Sequence, residues 1–303
     1  MERAVRSDLP GVSEPPRRGR GGRIGQRFAP YLLITPSGLW QLLFFVVPMF
    51  AMLSLSLNSG SSRTGFTFSW QFSNYTDSVT QYSDYFVRTI RNATIVTVAG
   101  LLIAYPMAYW IAFYGGRRKS TYLLLVLLPF FVSFVIRTLA WKFILSDDGI
   151  VLKPLKDLGL LSADFHVLAT TFAVVAGITY NLLPFTVLPL FVSLDRIDKR
   201  LVEAAGDLYS SKAQAFWKVV FPMSLPGVFA AVLLTFIPAM GDYVNPEILG
   251  GPGSTMIGNV INSQFLVFRD YPVAAALAFI LMALMVVGAT MYARLLGTEE
   301  ITT

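Results

Sequence analysis

One charged stretch decides the fold: Leu201-Val-Glu-Ala-Ala-Gly-Asp-Leu-Tyr-Ser-Ser-Lys-Ala-Gln-Ala-Phe-Trp-Lys-Val-Val-Phe-Pro222. Strongly apolar sequence flanks it on both sides, so we predict a loop on an aqueous face between two membrane helices. Asp198 can cap a short helix that ends at Leu208, because its carboxylate accepts hydrogen bonds from N–H groups that the first turn leaves unpaired.

A second capping pattern follows within the same stretch. Ser211 and Gln214 have the Ser-x-x-Gln spacing of a capping box, which predicts a second helix that runs through Trp217. The loop is therefore predicted to hold two short helices that meet at a corner, the second of which ends at Pro222.

The composition places this loop in a membrane protein. Of the 303 residues, 54% are hydrophobic and 14% are charged, whereas soluble domains carry about 25% charged residues. Six apolar runs approach or exceed the roughly 20 residues that span a bilayer. They are residues 31–57, 89–114, 122–145, 168–194, 225–243 and 271–295. The sequence predicts an all-α polytopic membrane protein with about six transmembrane helices.

Lysine and arginine set the orientation of the spans. With the N-terminus in the cytoplasm, 16 of the 24 basic residues fall in inner segments, 5 fall in outer loops and 3 lie within spans. This bias predicts a multi-pass protein of the cell membrane with both termini and the charged loop in the cytoplasm. The net charge of +6 reflects that topology and an Arg-rich tail, so a nucleic-acid partner is not expected.

Domain boundaries follow from the same runs. Residues 1–28 mix Arg, Gly, Pro and Ser with few apolar residues, which predicts a disordered basic tail in the cytoplasm. Residues 29–297 form the six-helix domain, in which residues 195–222 are the charged loop. Residues 298–303 are a second cytoplasmic tail.

The sequence offers no site for a nucleotide or a metal. Residues 115–120, Gly-Gly-Arg-Arg-Lys-Ser, contain the residue types of a phosphate-binding loop but not its spacing or its preceding strand. If ATP drives this protein, another chain binds it. The chain has no cysteine, and its only histidine, His166, has no partner at ligand spacing. No metal site and no catalytic residues are expected.

Two polar groups inside predicted spans are candidates for a transport path. Arg137 near the middle of the third span costs roughly 3 kcal/mol to bury, so it should face a polar interior and have a partner. It either bonds a structural acceptor or lines the route. Tyr180 and Asn181 precede Pro184 in the fourth span. This patch is either a broken helix of the kind that builds transporter sites, or a kink in which Asn181 bonds a neighbouring helix.

The charged stretch resembles the EAA loop of permease subunits of binding-protein-dependent ABC importers. The family pattern is Glu-Ala-Ala, three residues, Gly, nine residues and Ile-x-Leu-Pro, and this chain keeps the spacing from Glu203 to Pro222. Tyr209 stands where the family has Gly, and Phe221 stands where it has Leu. Gly206 can relocate the left-handed corner that the family Gly allows.

Three further passages resemble the spermidine/putrescine branch of these permeases, particularly its B-type subunit. They are the Leu-Pro-Phe to Ala-Trp run of residues 128–141, the Tyr-Asn-Leu-Leu-Pro-Phe run of residues 180–185, and the Phe-Ile-Pro to Gly-Gly-Pro run of residues 236–252. The resemblance covers residues 31–296, nearly everything but the tails.

This resemblance implies a type I ABC importer permease fold with a cytoplasmic EAA coupling loop. It also implies a second, similar permease of the C type, a cytoplasmic ABC ATPase dimer that binds ATP and Mg, an extracytoplasmic solute-binding protein, and membrane lipid around the spans. The chain itself would be a non-catalytic subunit without a cofactor. The residues that would couple it to the ATPase are Glu203, Ala204, Ala205, Gly206, Asp207, Tyr209 and Pro222.

A polyamine would need carboxylates and aromatic faces along its path, because ring quadrupoles attract ammonium groups. The candidates, with Arg137 and Asn181, are Trp141, Tyr180, Asp242, Tyr243 and Glu247. Asp242 and Glu247 can equally be capping residues of a Gly- and Pro-rich turn.

Other functions remain open at this point. An importer of another small solute, such as a different amine, an iron chelate or a thiamine-like cation, would share much of this sequence. A stand-alone secondary transporter would need an internal repeat and coupling carboxylates in mid-span, and neither is evident.

Overall fold

The computed structural model describes residues 34–208 and 211–296. Within these ranges, the side chains of residues 199, 205–208, 295 and 296 lie outside the description. The expectations for the tails 1–28 and 298–303 and for Tyr209 fall outside the described residues and stay predictions.

The described part of the chain contains five helices that are long and apolar enough to cross a membrane, and one bent pair that can act as a sixth span. The five are α1 (Ile34–Ser56), α2 (Ser73–Tyr114), α6 (Thr171–Asp195), α8 (Lys212–Gly241) and α11 (Tyr271–Leu296). The bent pair is α3 (Gly116–Phe131) with α4 (Phe134–Leu145). The prediction of an all-α membrane protein with about six spans is confirmed.

Shorter helices connect these spans. They are α5 (Leu152–Asp157), α7 (Lys199–Leu208), α9 (Val244–Leu249) and α10 (Ile257–Phe268). By its internal contacts the chain divides into two compact units, residues 1–52 and 53–303.

The first unit is described from Ile34 on, and its helix contains a π turn at Leu42–Val46. The N–H of Val47 donates to the carbonyl of Leu42, directly before Pro48. A proline ring clashes with the carbonyl four residues earlier in an α-helix, and the wider π turn gives the ring room.

The second unit starts with a small antiparallel hairpin and a long helix. Strand β1 (Asn58–Ser61) pairs with β2 (Gly65–Phe68). We expected residues 58–88 to be a loop, and this is wrong for residues 73–88, which are the first turns of α2. These residues are polar and give no apolar signal. Their helix is held by tertiary contacts such as the 2.7 Å hydrogen bond from Gln264 Nε2 to Tyr82 Oη.

The third span is not the single helix that the apolar run predicted. Helices α3 and α4 are bent by 90° at the break between them. The first ends in a 3₁₀ turn that contains Pro129, and Val132 N–H bonds the Pro129 carbonyl. Val132 and Ser133 then adopt extended ψ angles of 140° and 136°. Proline restricts the backbone locally, so an uninterrupted apolar composition does not guarantee an uninterrupted helix.

The loop between α4 and α6 carries a small ion cluster. Asp147 accepts a 2.9 Å hydrogen bond from Lys156 Nζ and lies 2.7 Å from His166 Nδ1. The hydrogen bond from Lys156, followed by that from His166, holds the pKa of Asp147 below its ordinary value. His166 is exposed and serves this surface cluster.

Helices α2, α6 and α8 form the packed centre of the second unit. Two buried apolar clusters lie along it, one around Ile178 and Leu249 and the other around Leu190 and Val220. Helix α6 continues through Pro184 and Pro189 without a break, which rules out the broken-helix alternative for this span.

Small residues let these helices approach closely. A Cβ at Gly227 of α8 would collide with the Ser193 side chain and the Pro189 carbonyl of α6. A Cβ at Gly177 of α6 would collide with Leu249 and Asn245 of α9. These glycines therefore fix the seating of α8 and α9 against α6.

The helix expected to end at Pro222 instead continues as the long span α8. A π turn at Phe216–Val220 precedes Pro222, and Phe221 N–H donates to the Phe216 carbonyl. As at Pro48, the wide turn accommodates the proline ring. The second short helix of the charged stretch is thus the first part of a membrane span.

The segment after α8 is also more regular than predicted. The Gly- and Pro-rich turn expected at Asp242 and Glu247 is largely helical, because Val244–Leu249 is a helix and only Pro252–Ser254 is a 3₁₀ turn. The residue that favours a helix here is Asp242, because its side chain caps the first turn. The segment before the last span is helical from Ile257 to Phe268.

Candidate functional site

A buried polar network joins helices α4, α6 and α9 inside the second unit. The Asn245 Oδ1 atom lies 3.2 Å from both Thr138 Oγ1 and Asn181 Nδ2. Asn181 Nδ2 also lies 3.2 Å from Thr138 Oγ1. Thr138 and Asn245 are fully buried, and Asn181 is 1% exposed. Asn181 thus bonds two neighbouring helices, as the second of the two alternatives for this patch predicted. Helix α6 itself is continuous at this point.

Asp242 anchors this network from the end of α8. Its Oδ1 accepts hydrogen bonds from the N–H groups of Val244 at 2.9 Å and Asn245 at 3.1 Å, so it caps helix α9. Its Oδ2 accepts a 2.5 Å hydrogen bond from Asn245 Nδ2. The capping alternative for Asp242 is therefore correct, and both of its oxygens are engaged within the chain.

Arg137, unlike Asp242 and the residues of the polar network, has no hydrogen-bond partner for its side chain among the described residues. Its side chain is 7% exposed, and its Nε atom has no hydrogen-bond partner. The guanidinium carbon lies 5.3 Å from the ring centre of Phe130 and 5.8 Å from that of Phe134. Cation–π contacts recover about 0.5 to 2 kcal/mol each. The structural acceptor that we expected for Arg137 is absent from the described residues.

A cavity of about 410 Å³ opens beside Arg137 at the break of the third span. Its walls are mostly aromatic and aliphatic, and the only charged group on them is Arg137. The lining residues are Phe130, Phe131, Val132, Ser133, Phe134, Arg137, Asn181, Leu182 and Phe185. The Oδ1 atom of Asn181 has no hydrogen-bond partner either. Two residues that line the cavity thus each carry a buried polar atom without a hydrogen-bond partner, Arg137 Nε and Asn181 Oδ1.

Two predicted path residues form an aromatic pair. The rings of Trp141 on α4 and Tyr180 on α6 lie 5.4 Å apart and meet edge to face. Both side chains are partly buried. This pair extends the contact of α4 with α6 one turn beyond Thr138.

Tyr243 and Glu247 lie at a more open place than Asp242. Tyr243 is 46% exposed, and Glu247 is exposed as well. Asn259 Nδ2 on α10 donates to the Tyr243 carbonyl at 2.8 Å and to Glu247 Oε2 at 3.0 Å. One carboxylate and one phenol ring are thereby held at the surface of α9 by a hydrogen bond from a neighbouring helix.

The charged stretch carries the second group of predicted residues. Asp198 Oδ1 accepts a 2.9 Å hydrogen bond from Arg200 N–H, which confirms the predicted cap of α7. Ser211 Oγ accepts from Gln214 N–H at 3.3 Å, as the spacing predicted. Val202 is partly buried and packs on the apolar cluster around Leu190 and Val220, called the inner apolar cluster below. Glu203 and Ala204 on the same helix are exposed.

The remaining coupling residues are only partly described. Pro222 is exposed within α8. Ala205, Gly206 and Asp207 lie in α7, but their side chains are outside the described ones, as is all of Tyr209. Helix α7 therefore presents Glu203 and Ala204 to solvent, at the end of the fold where Lys119 of α3 pairs with Asp195 of α6.

Comparison with known proteins assigns the architecture. Residues 42–296 match the family described as the binding-protein-dependent transport system inner membrane component. The chain belongs to this family. The matched residues include both the polar network and the whole charged stretch, so the permease family covers both candidate sites.

Two relatives share about a third of the sequence. The spermidine/putrescine transport system permease protein PotB of Haemophilus influenzae is 35% identical over 251 residues, which cover 82% of this permease and 88% of the relative. PotB of Escherichia coli K12 is 34% identical over 255 residues, which cover 84% and 92%.

A solved structure shares the fold. A chain of a bacterial ABC transporter involved in the import of the acidic polysaccharide alginate superposes with a TM-score of 0.71 over 92% of this permease and 98% of that chain. At 19% identity this likeness concerns the fold alone. It confirms the expected type I importer permease fold.

Two members of the polar network, Thr138 and Asn245, were not predicted from the sequence. Thr138 and Asn245 are single polar residues in apolar or turn-like surroundings, and nothing in their own neighbourhood marks them as partners. One signal existed: Asp242 precedes Asn245 by three residues, the spacing at which a carboxylate caps a helix. No such spacing marks Asn259, which donates to the Tyr243 carbonyl and to Glu247.

Proposed function

We propose that this permease is the membrane-spanning subunit of an ATP-driven importer of polyamines, delivered by an extracytoplasmic binding protein. The observation that carries the proposal is the 34–35% identity to two spermidine/putrescine permeases, which extends over more than 80% of this chain. At this level the identity spans both candidate sites rather than one motif.

The exposed groups near α9 fit a polycation. Tyr243 and Glu247 present a ring and a carboxylate to solvent, and the pair of Trp141 and Tyr180 offers further ring faces. Ring faces and carboxylates attract ammonium groups without binding them tightly. Asp242 is engaged by α9, so its role is to position α9 rather than to meet the cation.

A cytoplasmic ATPase dimer is the proposed source of energy, and it would bind ATP and Mg. The permease contributes a lever in this proposal. On one side of helix α7, Glu203 and Ala204 are exposed. On the other side, Val202 is partly buried and packs on the inner apolar cluster. A force on the exposed side would therefore pass into the packed helices α2, α6 and α8.

Two more partners complete the proposal. A second permease of the C type would form the passage together with this chain. A binding protein would dock on the outer face, and the solved alginate transporter complex that contains a periplasmic protein supports such a partner for this fold. Many large apolar side chains of the described spans are exposed, which suits lipid and a second subunit.

Orientation follows from the basic residues, with both termini in the cytoplasm. Because the chain has no cysteine, single cysteines report the side directly. In intact cells, a membrane-impermeant maleimide should label Ser61→Cys in the hairpin and should not label Ser120→Cys at the start of α3. The reverse pattern would contradict the orientation.

The function is tested on the purified complex in lipid discs, with its ATPase, second permease and binding protein. Binding protein loaded with spermidine or putrescine should raise ATP hydrolysis several-fold above the rate with empty binding protein. Stimulation only by an iron chelate or by thiamine would keep the importer and overturn the polyamine assignment. Solute transport by this chain alone, without an ATPase, would overturn both.

A further inference from the structure

Arg137 is a buried cation without a counter-charge. Only 7% of its surface is exposed, its Nε has no partner, and no carboxylate of the described residues forms an ion pair with it. Asp242 is not available, because both its oxygens are held by α9. Buried arginines in membrane proteins are normally paired, so the missing anion must come from outside the described residues.

The cavity beside Arg137 has the form of a receptor for one such group. Phe130 and Phe134 flank the guanidinium, and Arg137 is the only charged residue on walls that are otherwise mostly apolar. The unpaired Asn181 Oδ1 on the same walls calls for a hydrogen-bond donor. The rim is apolar and uncovered, since Phe131 is 80% exposed and Val132 is 44% exposed.

We propose that this cavity receives an acidic side chain of the second permease subunit, whose carboxylate pairs with Arg137. A guanidinium presents its donors in a planar fork that matches a carboxylate. The apolar rim would close around the pair. The inference rests on the proposed function for the existence of the second subunit.

The other sources of an anion fit less well. A polyamine is itself a cation, which an unpaired Arg137 would repel, so the pairing also removes a barrier to the proposed substrate. Helix α3 is about 24 Å long at about 1.5 Å per residue, and in the proposed orientation it lies between the inner surface and the break. Phosphates of the inner leaflet therefore do not reach the cavity. Phosphates of the outer leaflet remain as the competing source, and the experiment separates them.

Cysteine cross-linking locates the partner group with Arg137 intact. Ser133 lines the cavity and is exposed, and the chain has no native cysteine. Ser133→Cys is combined with a cysteine-free second permease that carries one cysteine at a time next to each membrane-embedded Asp or Glu, so that the acidic residue itself is kept. A cysteine next to one acidic position should form a disulfide in high yield. If no such cysteine cross-links, the proposal is overturned.

Charge exchange then tests the pair itself. Arg137→Glu should lower the amount of co-purified second permease at least about tenfold, because an unpaired buried charge replaces the pair. Placing Arg at the acidic position next to the cross-linked cysteine should restore it, and Arg137→Lys should keep an intermediate amount. Lys142→Glu on the same helix is the control, because Lys142 is exposed and its reversal should change little.

Two results would overturn the pairing. One is an Arg137→Met variant that retains the second permease at the wild-type level. The other is a phospholipid, detected by native mass spectrometry, that leaves the complex when Arg137 is replaced by Met. Assembly and cross-linking do not depend on the solute. If the cross-link forms but polyamines fail to stimulate ATP hydrolysis, the pairing therefore stands and only the polyamine assignment fails.

Discussion

Glu203→Ala should lower the stimulation of ATP hydrolysis by loaded binding protein at least about tenfold, because the loss of a buried interfacial charge pair costs 2 kcal/mol or more. Glu203 is exposed on α7, the helix whose other side packs on the inner apolar cluster. In the proposed complex its carboxylate is buried against the ATPase. ATP hydrolysis is measured in lipid discs with spermidine-loaded and with empty binding protein.

The stability of the permease itself should not change. Replacement of an exposed side chain usually alters the free energy of unfolding by less than about 0.5 kcal/mol. The matched control is Asp164→Ala, which removes an exposed carboxylate from the loop between α4 and α6. Its stimulation should equal that of the wild type. If Glu203→Ala is stimulated as strongly as the control, α7 does not couple through this residue.

The spans could be predicted because a helix that crosses a bilayer needs a long apolar run, and the ends of that run mark the ends of the helix. Helix α11 was placed within a residue on this basis. The same logic failed where structure depends on a few residues. The 90° break at Val132 and Ser133 lies inside an uninterrupted apolar run, and the polar first turns of α2 have no run at all.

Proline had different consequences at four places, which sequence alone does not separate. Near Pro129 the chain leaves the helix through a 3₁₀ turn and two extended residues. At Pro48 and Pro222 it stays helical, because a π turn directly before each one makes room for the ring. At Pro184 neither device is present, and α6 continues between its packed neighbours.

The site was predicted where the signal is local and missed where it is tertiary. The caps at Asp198 and Ser211 follow from spacing along the chain, and both are present. The network of Thr138, Asn181 and Asn245 joins residues up to 107 positions apart. Such pairs are invisible in a single sequence. The cavity at Arg137 depends on the break, so it could not be foreseen either.

Asn245→Leu should destabilise the permease, with a loss of about 1 to 3 kcal/mol in the free energy of unfolding, because polar groups lose a hydrogen-bond partner. Asn245 is fully buried and links Asp242 to Thr138 and Asn181. Leucine has a similar size but no polar group. It would leave the partly buried Asp242 Oδ2 carboxylate oxygen without its 2.5 Å donor and Asn181 Nδ2 without one acceptor. Thermal unfolding in detergent measures the effect.

A control variant separates the effect of breaking the network from the effect of replacing an asparagine by leucine. Asn262→Leu makes the same replacement in α10, at a partly buried position where no side-chain hydrogen bond is seen among the described residues. Its unfolding temperature should stay close to that of the wild type. Equal unfolding temperatures for the two variants would mean that the network does not stabilise the fold. A selective loss for Asn245→Leu would show that the hydrogen bond from Asn245 to Asp242 holds the end of α8 against α9. The carboxylate nearest the proposed polyamine path would then be a structural anchor, which leaves Glu247 as the group that meets the cation.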